Sequence, residues 1–236
     1  MSAKTVISLS ILPSRLPFVG ECIASLKEQG LPIYVWIPRK VWRTGQVFNG
    51  EFPNFLDGLH VEVLEDKGSA LKLLPALNLD VDAVITADDD VYYGEGWAEG
   101  LIRWAKKIDY APVGYLGRSF NGRRSYNRAA KCHGKLADTD ILLGGWGVLY
   151  PTRFFDADIQ DAWEKWPLND DITTNHYLRQ RGIRRIVVPQ ECEITPLPTH
   201  KIDELWRINK GKNNLGLAAV RWWDDETLEQ RERITV

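Results

Sequence analysis

Much of the chain, from Thr5 to Leu116, alternates short β-rich runs with helix-periodic segments, each ended by proline or glycine. Val6–Ile11 is a strand-like run stopped by Pro13, and Phe18–Glu28 carries Val19, Cys22, Ile23 and Leu26 at helical spacing before Gly30. Ile33–Ile37 is a second apolar run closed by Pro38. A loop-rich stretch from Thr44 to Gly58 leads to a third at Val61–Leu64. Ser69–Leu77 reads as a short helix, Asp82–Ala87 as a fourth strand, Trp97–Lys107 as an amphipathic helix and Pro112–Leu116 as a further strand. Strands alternating with helices need crossover connections, which put helices on both faces of a mainly parallel sheet. Ligands of such sheets bind beyond the carboxyl ends of the strands. At 236 residues, one α/β domain with a C-terminal segment accounts for the length.

After Gly117 the pattern changes. Residues 118–135 are polar and basic, Ile141–Tyr150 is apolar and glycine-rich, Asp170–Arg181 looks helical, and Arg185–Val188 is a strand stopped by Pro189. From Gln190 onward no strand is expected, only a helix near Lys201–Asn209 and a polar tail. The expected organisation is a single domain over 1–236. Within it, 1–117, 118–189 and 190–236 are successive segments, the last a lid or tail.

Composition excludes several classes. A formal net charge of -2 gives no general attraction to nucleic acid, and no nucleic-acid-binding module is present. Cys22, Cys132 and Cys192 are three, widely spaced, with no CxxC pair. A disulfide framework or zinc site is therefore not expected, and a reducing cytoplasm fits best. Residues 1–4 lack a basic leader, Thr5–Leu12 is too short for a signal core, and nothing approaches the roughly 18 apolar residues of a spanning helix. Ten tryptophans are unusual in this length. Core packing accounts for most of them; faces for stacking on sugar rings are the alternative for Trp146, Trp163, Trp166, Trp206, Trp222 and Trp223.

The strongest chemical signal is Asp88-Asp89-Asp90, which the apolar run Ala83–Ala87 enters directly. Three adjacent carboxylates repel one another unless a cation or a donor array offsets them. A hard divalent metal bridging a diphosphate does so. The competing reading is a solvated acidic turn opening the helix at Trp97.

These residues resemble the Asp-x-Asp motif of GT-A glycosyltransferases, in particular small family-2-like enzymes that build bacterial capsule and surface polysaccharides. The aromatic pair Tyr92-Tyr93 follows the motif as in related versions, and Asp66–Leu77 is similar to the segment that precedes it. The resemblance implies that Asp88 faces the donor's ribose or sugar, that Asp90 ligates Mn²⁺ or Mg²⁺, and that Asp89 completes the donor-binding motif. Lys72 would approach the donor, although it also reads as a surface lysine on a short helix. Ser10 and Arg15, in a first-strand loop similar to the family's, are candidate nucleotide contacts; a planar guanidinium suits a diphosphate.

Gly144-Gly145-Trp146-Gly147 is similar to the family's glycine-rich segment lining the donor-sugar and acceptor pocket, the alternative being a buried bulge with tryptophan in the core. Asp170-Asp171 resembles the acidic helix start whose carboxylate accepts the acceptor hydroxyl's proton. The match is Asp171 with Asp170 beside it, and Asp-Asp in place of the commoner Glu-Asp leaves the choice between them open. Plain capping of the helix is the alternative. His200 matches a C-terminal histidine that serves as a further metal ligand in many such enzymes. Lys210, Lys212, Asn213 and Asn214 follow it as a possible lid over a diphosphate.

The basic stretch containing Arg118, Arg123, Arg124, Arg128, Lys131 and Lys135 is either a solvated loop or a contact for an anionic acceptor, a lipid diphosphate or a membrane surface. The expected function is metal-dependent transfer of a hexosyl or N-acetylhexosaminyl group from a nucleotide-diphosphate sugar, UDP by family frequency. The acceptor would be a saccharide or lipid-linked saccharide, and the transfer inverting, on the cytoplasmic side with or without peripheral membrane association. Two other readings stay open. A sugar-1-phosphate nucleotidyltransferase would want a glycine-rich basic loop after the first strand, and Ile11–Phe18 has only Arg15. A non-catalytic carbohydrate-binding protein would leave both acidic clusters unexplained.

Overall fold

In the computed structural model, which describes residues 3–202 and 211–224, the apolar runs of the N-terminal half become strands β1 (Thr5–Ser10), β2 (Ile33–Pro38), β3 (His60–Leu64) and β4 (Ala83–Ala87). They lie side by side, all parallel, in the order β3-β2-β1-β4. All five residues of β4 and the first five of β1 are buried, as expected of central parallel strands covered on both faces. Helices α1 (Gly20–Lys27) and α2 (Trp97–Lys107) pack on one face; Ile23, Leu26, Trp97 and Leu101 join Ile7, Leu9 and Ile85 in the largest core cluster. The result is a mixed α/β fold with a large, mostly parallel eight-stranded sheet flanked by helices, as the sequence leads one to expect.

Beyond β4 the sheet is mixed. After the short strands β5 (Val91–Tyr93), β6 (Val113–Gly114), β7 (Leu116–Ser119), β8 (Ala130–His133), β9 (Ala137–Asp138) and β10 (Ile141–Leu142) comes β11 (Val148–Pro151). This strand inserts antiparallel between β4 and β6, with Val148 opposite Thr86. The consequence is geometric: an antiparallel neighbour starts where β4 ends, so the glycine-rich segment leading into β11 arrives beside Asp88–Asp90. Strand β12 (Ile186–Val187) and β9 complete the large sheet, while β10, β7 and β8 form a separate antiparallel one.

Several expectations are corrected. The segment Ser69–Leu77 is not one helix but two 3₁₀ turns, Gly68–Lys72 and Pro75–Asn78, because Pro75 lacks the amide a continuous helix needs. The expected strand Pro112–Leu116 divides at buried Tyr115, where the chain passes from the large sheet to the small one. A strand does follow Gln190: β13 (Ile194–Pro196) pairs antiparallel with β5. At three residues including a proline, it carries no legible period. Of the helix expected near Lys201–Asn209, residues 203–210 lie outside the described residues. A helix is instead found at Asn213–Ala219, where buried Gly216 lets its backbone approach the Trp166 indole.

Trp36, Trp97, Trp163 and Trp222 are buried and belong to the packing, whereas Trp146 reaches a cavity; Trp206 is not among the described residues. The three cysteines are free thiols. Among the described residues, no helix is long and apolar enough to cross a membrane.

Candidate active site

The carboxyl end of β4 opens into a cavity of about 630 Å³. Its lining brings together Ser10, Arg15, Lys72, Asp88, Asp89, Asp90, Gly145, Trp146, Asp170 and Asp171. Gly144 lies immediately behind: a Cβ added there would stand 2.8 Å from Lys72 Nζ and 3.3 Å from Asp171 Oδ1. Thus every candidate except His200 converges on one site. The His200 backbone lies in the 3₁₀ turn Pro198–Lys201, and its side chain is outside the described structure. This turn follows β13 closely beside the acidic segment, since the Leu197 amide donates to the Asp90 carbonyl at 2.8 Å.

The three consecutive aspartates have different surroundings. They do not open α2, because β5 intervenes. Asp89 turns inward: Arg15 Nη1 donates to its Oδ1 at 2.5 Å, and both side chains are less than a tenth exposed. The same guanidinium reaches Asp90 Oδ2 at 3.1 Å, and its Nε donates to the Ile202 carbonyl. Burial works against the charge on Arg15, but Asp89 and Asp90 outweigh it and raise the pKa. Arg15 is therefore committed to the carboxylates rather than extended toward a ligand.

Asp88 projects into the cavity, where its Oδ1 accepts from Lys72 Nζ at 2.6 Å. Its amide donates to the Tyr93 hydroxyl at 2.8 Å, and that hydroxyl donates to the Gly145 carbonyl at 3.4 Å, tying the acidic segment to the glycine-rich one. Burial, then repulsion from Asp88 and Asp89, raises the Asp90 carboxyl to about 6.

Lys72 joins the two acidic clusters. It is no surface lysine: the side chain is 8% exposed, between Asp88 and Asp170, the latter at 3.0 Å. Burial opposes its charge, yet Asp170, Asp88 and Asp171 together hold its pKa well above the usual lysine range. Its backbone is fixed by a relay in which Trp36 Nε1 donates to Ser8 Oγ at 2.7 Å and Ser8 Oγ donates to the Lys72 carbonyl at 2.6 Å.

The opposite wall is helix α4 (Asp170–Gln180), which follows α3 (Ile159–Glu164). Asn169 caps α4, its Oδ1 accepting from the Ile172 amide at 3.1 Å. The two aspartates in the first turn complement the helix dipole, but they also face the cavity. Asp171 Oδ1 accepts from the Gly144 amide at 2.8 Å. Burial, then the neighbouring Asp170, raises its carboxyl to about 8 against the pull of Lys72. Fully buried Asn175 holds the helix on β10: its Oδ1 accepts from the Leu142 amide and its Nδ2 donates to the Leu142 and Asp171 carbonyls.

Of the remaining sequence candidates, Asn213 lines the cavity and exposed Asn214 does not. Asn169 Nδ2 donates to Asn213 Oδ1 at 3.1 Å, and the Tyr126 amide donates to Asn214 Oδ1 at 2.7 Å. Lys212 is exposed and Lys210 is outside the described residues. Arg118 alone of the basic stretch lines the cavity, with its guanidinium 4.7 Å from the Tyr126 ring centre. Arg123, Arg124, Arg128, Lys131 and Lys135 are exposed.

Sequence reasoning missed Tyr93, Asn175 and Ser8, whose roles depend on long-range hydrogen bonds. It also missed Asp66, Arg43, Tyr126 and Asn169 as lining residues. The asparagine before a paired-acid helix start was the one available signal among these.

The described lining carries six carboxylates, Asp66 among them, against four cations: Arg15, Arg43, Lys72 and Arg118. Among the described residues, no three histidine, cysteine or acidic side chains form a ready-made metal cage. Magnesium-like ions ordinarily take one or two protein carboxylates and complete their shell with substrate phosphates and water. The surplus negative charge and the hard oxygens of Asp88 and Asp90 fit such an ion. No protein-family model matches this chain, and no curated protein matches it.

Proposed function

We propose that this protein is a metal-dependent glycosyltransferase of the GT-A type, transferring a sugar with inversion from a nucleoside diphosphate donor, UDP first, to a saccharide hydroxyl. One observation carries the reading: an acidic strand end (Asp88, Asp90) and an acidic helix start (Asp170, Asp171) share one cavity, with the Lys72 ammonium between them. Transfer needs an anionic leaving group held on one side of the sugar and a proton acceptor on the other. The two acidic clusters on facing walls support that reading.

In this reading Asp90, with Asp88, would hold the divalent cation, which when bound offsets the charge of the leaving diphosphate. The protein's own groups do the rest. Asp171, with one oxygen held by the Gly144 amide, takes the proton from the acceptor hydroxyl. Its raised pKa makes it a stronger base once ionised. Lys72 steadies both acidic clusters, and Trp146 with Gly145 offers an aromatic surface and close backbone approach to the sugar.

The test is calorimetric titration of UDP and GDP with and without Mn²⁺. Manganese-dependent UDP binding that Asp90→Ala removes is the expected result. Folded protein that binds neither nucleotide under either condition overturns the reading, and a carbohydrate-binding role then leads.

A further inference from the structure

A second hollow, about 260 Å³, lies against the first. It is lined by Trp42, Leu74, Trp163 and Pro167 on its apolar side and by Asp66, Lys67, Gln160 and Glu164 on its polar side. We propose that it is a subsite for a distal sugar residue of an oligosaccharide acceptor whose reacting hydroxyl lies at Asp171. The proposal rests on the glycosyltransferase reading for which end of the acceptor reacts.

Contiguity is the first argument. Asp66 lines both hollows. On the opposite rim Pro167 lines the second while the next four residues, Leu168 to Asp171, line the first. A chain of sugars leaving Asp171 along this rim would reach the second hollow over the place where Gly68 meets Pro167. Gly68 keeps the rims together: its φ is +60°, and a Cβ there would stand 2.7 Å from the Pro167 carbonyl oxygen.

Chemistry is the second. Drug-sized ligands occupy pockets of roughly 300–1,000 Å³, so this hollow suits one ring and part of its neighbour. A pyranose presents an apolar C–H face and a rim of hydroxyls, which exposed Trp42 and Pro167 and the polar side match in turn. Trp42 is half exposed at the mouth, so a face of its ring is open to a ligand.

Trp163 is 3% exposed, and its buried Nε1 has no hydrogen-bond partner among the described residues. Asp66 is pre-oriented: the Trp42 amide donates to its Oδ2 at 2.9 Å and the Gly68 amide to its Oδ1 at 2.7 Å. A carboxylate has about four acceptor sites, so both oxygens can still accept from hydroxyls. Two acids against one lysine disfavour a phosphate or nucleotide here, and a wholly apolar ligand would take water from the Asp66 carboxylate while leaving it only its two amide partners.

The experiment uses the full chain labelled with 5-fluorotryptophan. It follows the ¹⁹F signals while adding trisaccharides of gluco, manno, galacto and N-acetylglucosamine configuration, and separately UDP with Mn²⁺. The signals are assigned with Trp42→Phe and Trp163→Phe. At least one trisaccharide should shift the Trp42 signal, and its affinity should fall at least tenfold in Trp42→Ala and in Gln160→Ala while UDP affinity stays within twofold. Trp42 and Gln160 are exposed, so neither variant threatens the fold.

Failure of all four trisaccharides to move the Trp42 signal in protein that still binds UDP overturns the subsite alone. Trisaccharide binding unchanged in both variants overturns it equally. Loss of UDP binding with the trisaccharide shift retained overturns the donor reading and leaves the subsite standing as a saccharide site.

Discussion

The Lys72 ammonium meets the Asp170 carboxylate at 3.0 Å while holding Asp88 at 2.6 Å. With one cation between two carboxylates, the relation is asymmetric. Removing the lysine leaves both acids facing each other in a partly dehydrated cavity, whereas removing either acid leaves the lysine one partner. Breaking a buried ion pair from one side costs about 3–5 kcal/mol. Lys72→Met should therefore lower unfolding free energy by about that much in urea titrations, and Asp170→Asn by clearly less. Equal losses for the two would show that Lys72 does not bridge the clusters.

Asp171 makes a prediction about pH. Its carboxyl lies near 8 in the folded protein, against about 3.9 in an unfolded chain. Between those values the native state holds a proton that the unfolded state has released, so the native state binds more protons and its stability falls as pH rises. The decline belongs to the window from about pH 4 to 8 and levels above it. Asp171→Asn should flatten that part of the stability profile, measured by chemical denaturation at successive pH values. Under the proposed function, kcat/KM for sugar transfer should climb to a plateau above about pH 8. The same variant should lose about 10²–10⁴-fold in rate with UDP affinity nearly unchanged. A variant that loses UDP binding as well counts against the base role.

The fold and the site differ in how far they can be read from sequence. Helix α2 is found over the same residues, 97–107, that periodicity marks, and the run ending at Ala87 is buried throughout. Long periodic or wholly apolar segments carry their own signal. The two-, three- and four-residue strands that complete the sheets do not, and the antiparallel insertion of β11 beside β4 is decided by packing rather than pattern. At the site, residue types were legible and environments were not. Nothing in Asp88-Asp89-Asp90 says that the middle acid is the most buried of the three and is held by Arg15. That distinction comes from the turn that follows β4 and from the Arg15 loop folded over it. Likewise, Lys72 looks like a surface lysine until Ser8 and Trp36 fix its backbone.

Gly147 tests the glycine-rich segment. Its φ is +97°, and an added Cβ would stand 2.5–2.8 Å from the Trp97 ring, whose Nε1 donates to the Trp146 carbonyl at 2.9 Å. Gly147→Ala combines backbone strain with overpacking, each about 1–3 kcal/mol, and displaces Trp146 from the cavity wall. Gly96→Ala is the control: φ is +77°, but nothing lies within 4 Å of the new methyl group. Thermal unfolding should separate the two clearly, with Gly147→Ala the less stable. Equal shifts would mean that strain alone, not the Trp97 contact, fixes the glycine.

Asn175 tests how the candidate base is held. It is fully buried and pairs with both the amide and the carbonyl of Leu142, while its remaining hydrogen goes to the Asp171 carbonyl. Asn175→Leu keeps the branched outline of the side chain and removes every one of these bonds. Each buried backbone group left unpaired costs about 1–3 kcal/mol, so two at Leu142 imply a loss of about 2–6 kcal/mol in urea denaturation. Asn175→Asp keeps the acceptor for the Leu142 amide but can no longer donate to the two carbonyls, and it adds a buried charge. Stability should then recover partly at low pH, where the new carboxyl is protonated and can donate again. Both variants weaken the tie between α4 and β10, Asn175→Leu by removing it and Asn175→Asp by halving it, so Asp171 drifts from the Gly144 amide and kcat should fall while UDP affinity, set mainly at the β4 end, changes little. A fall in UDP affinity as large as the fall in kcat would place Asn175 in general folding rather than in positioning the base.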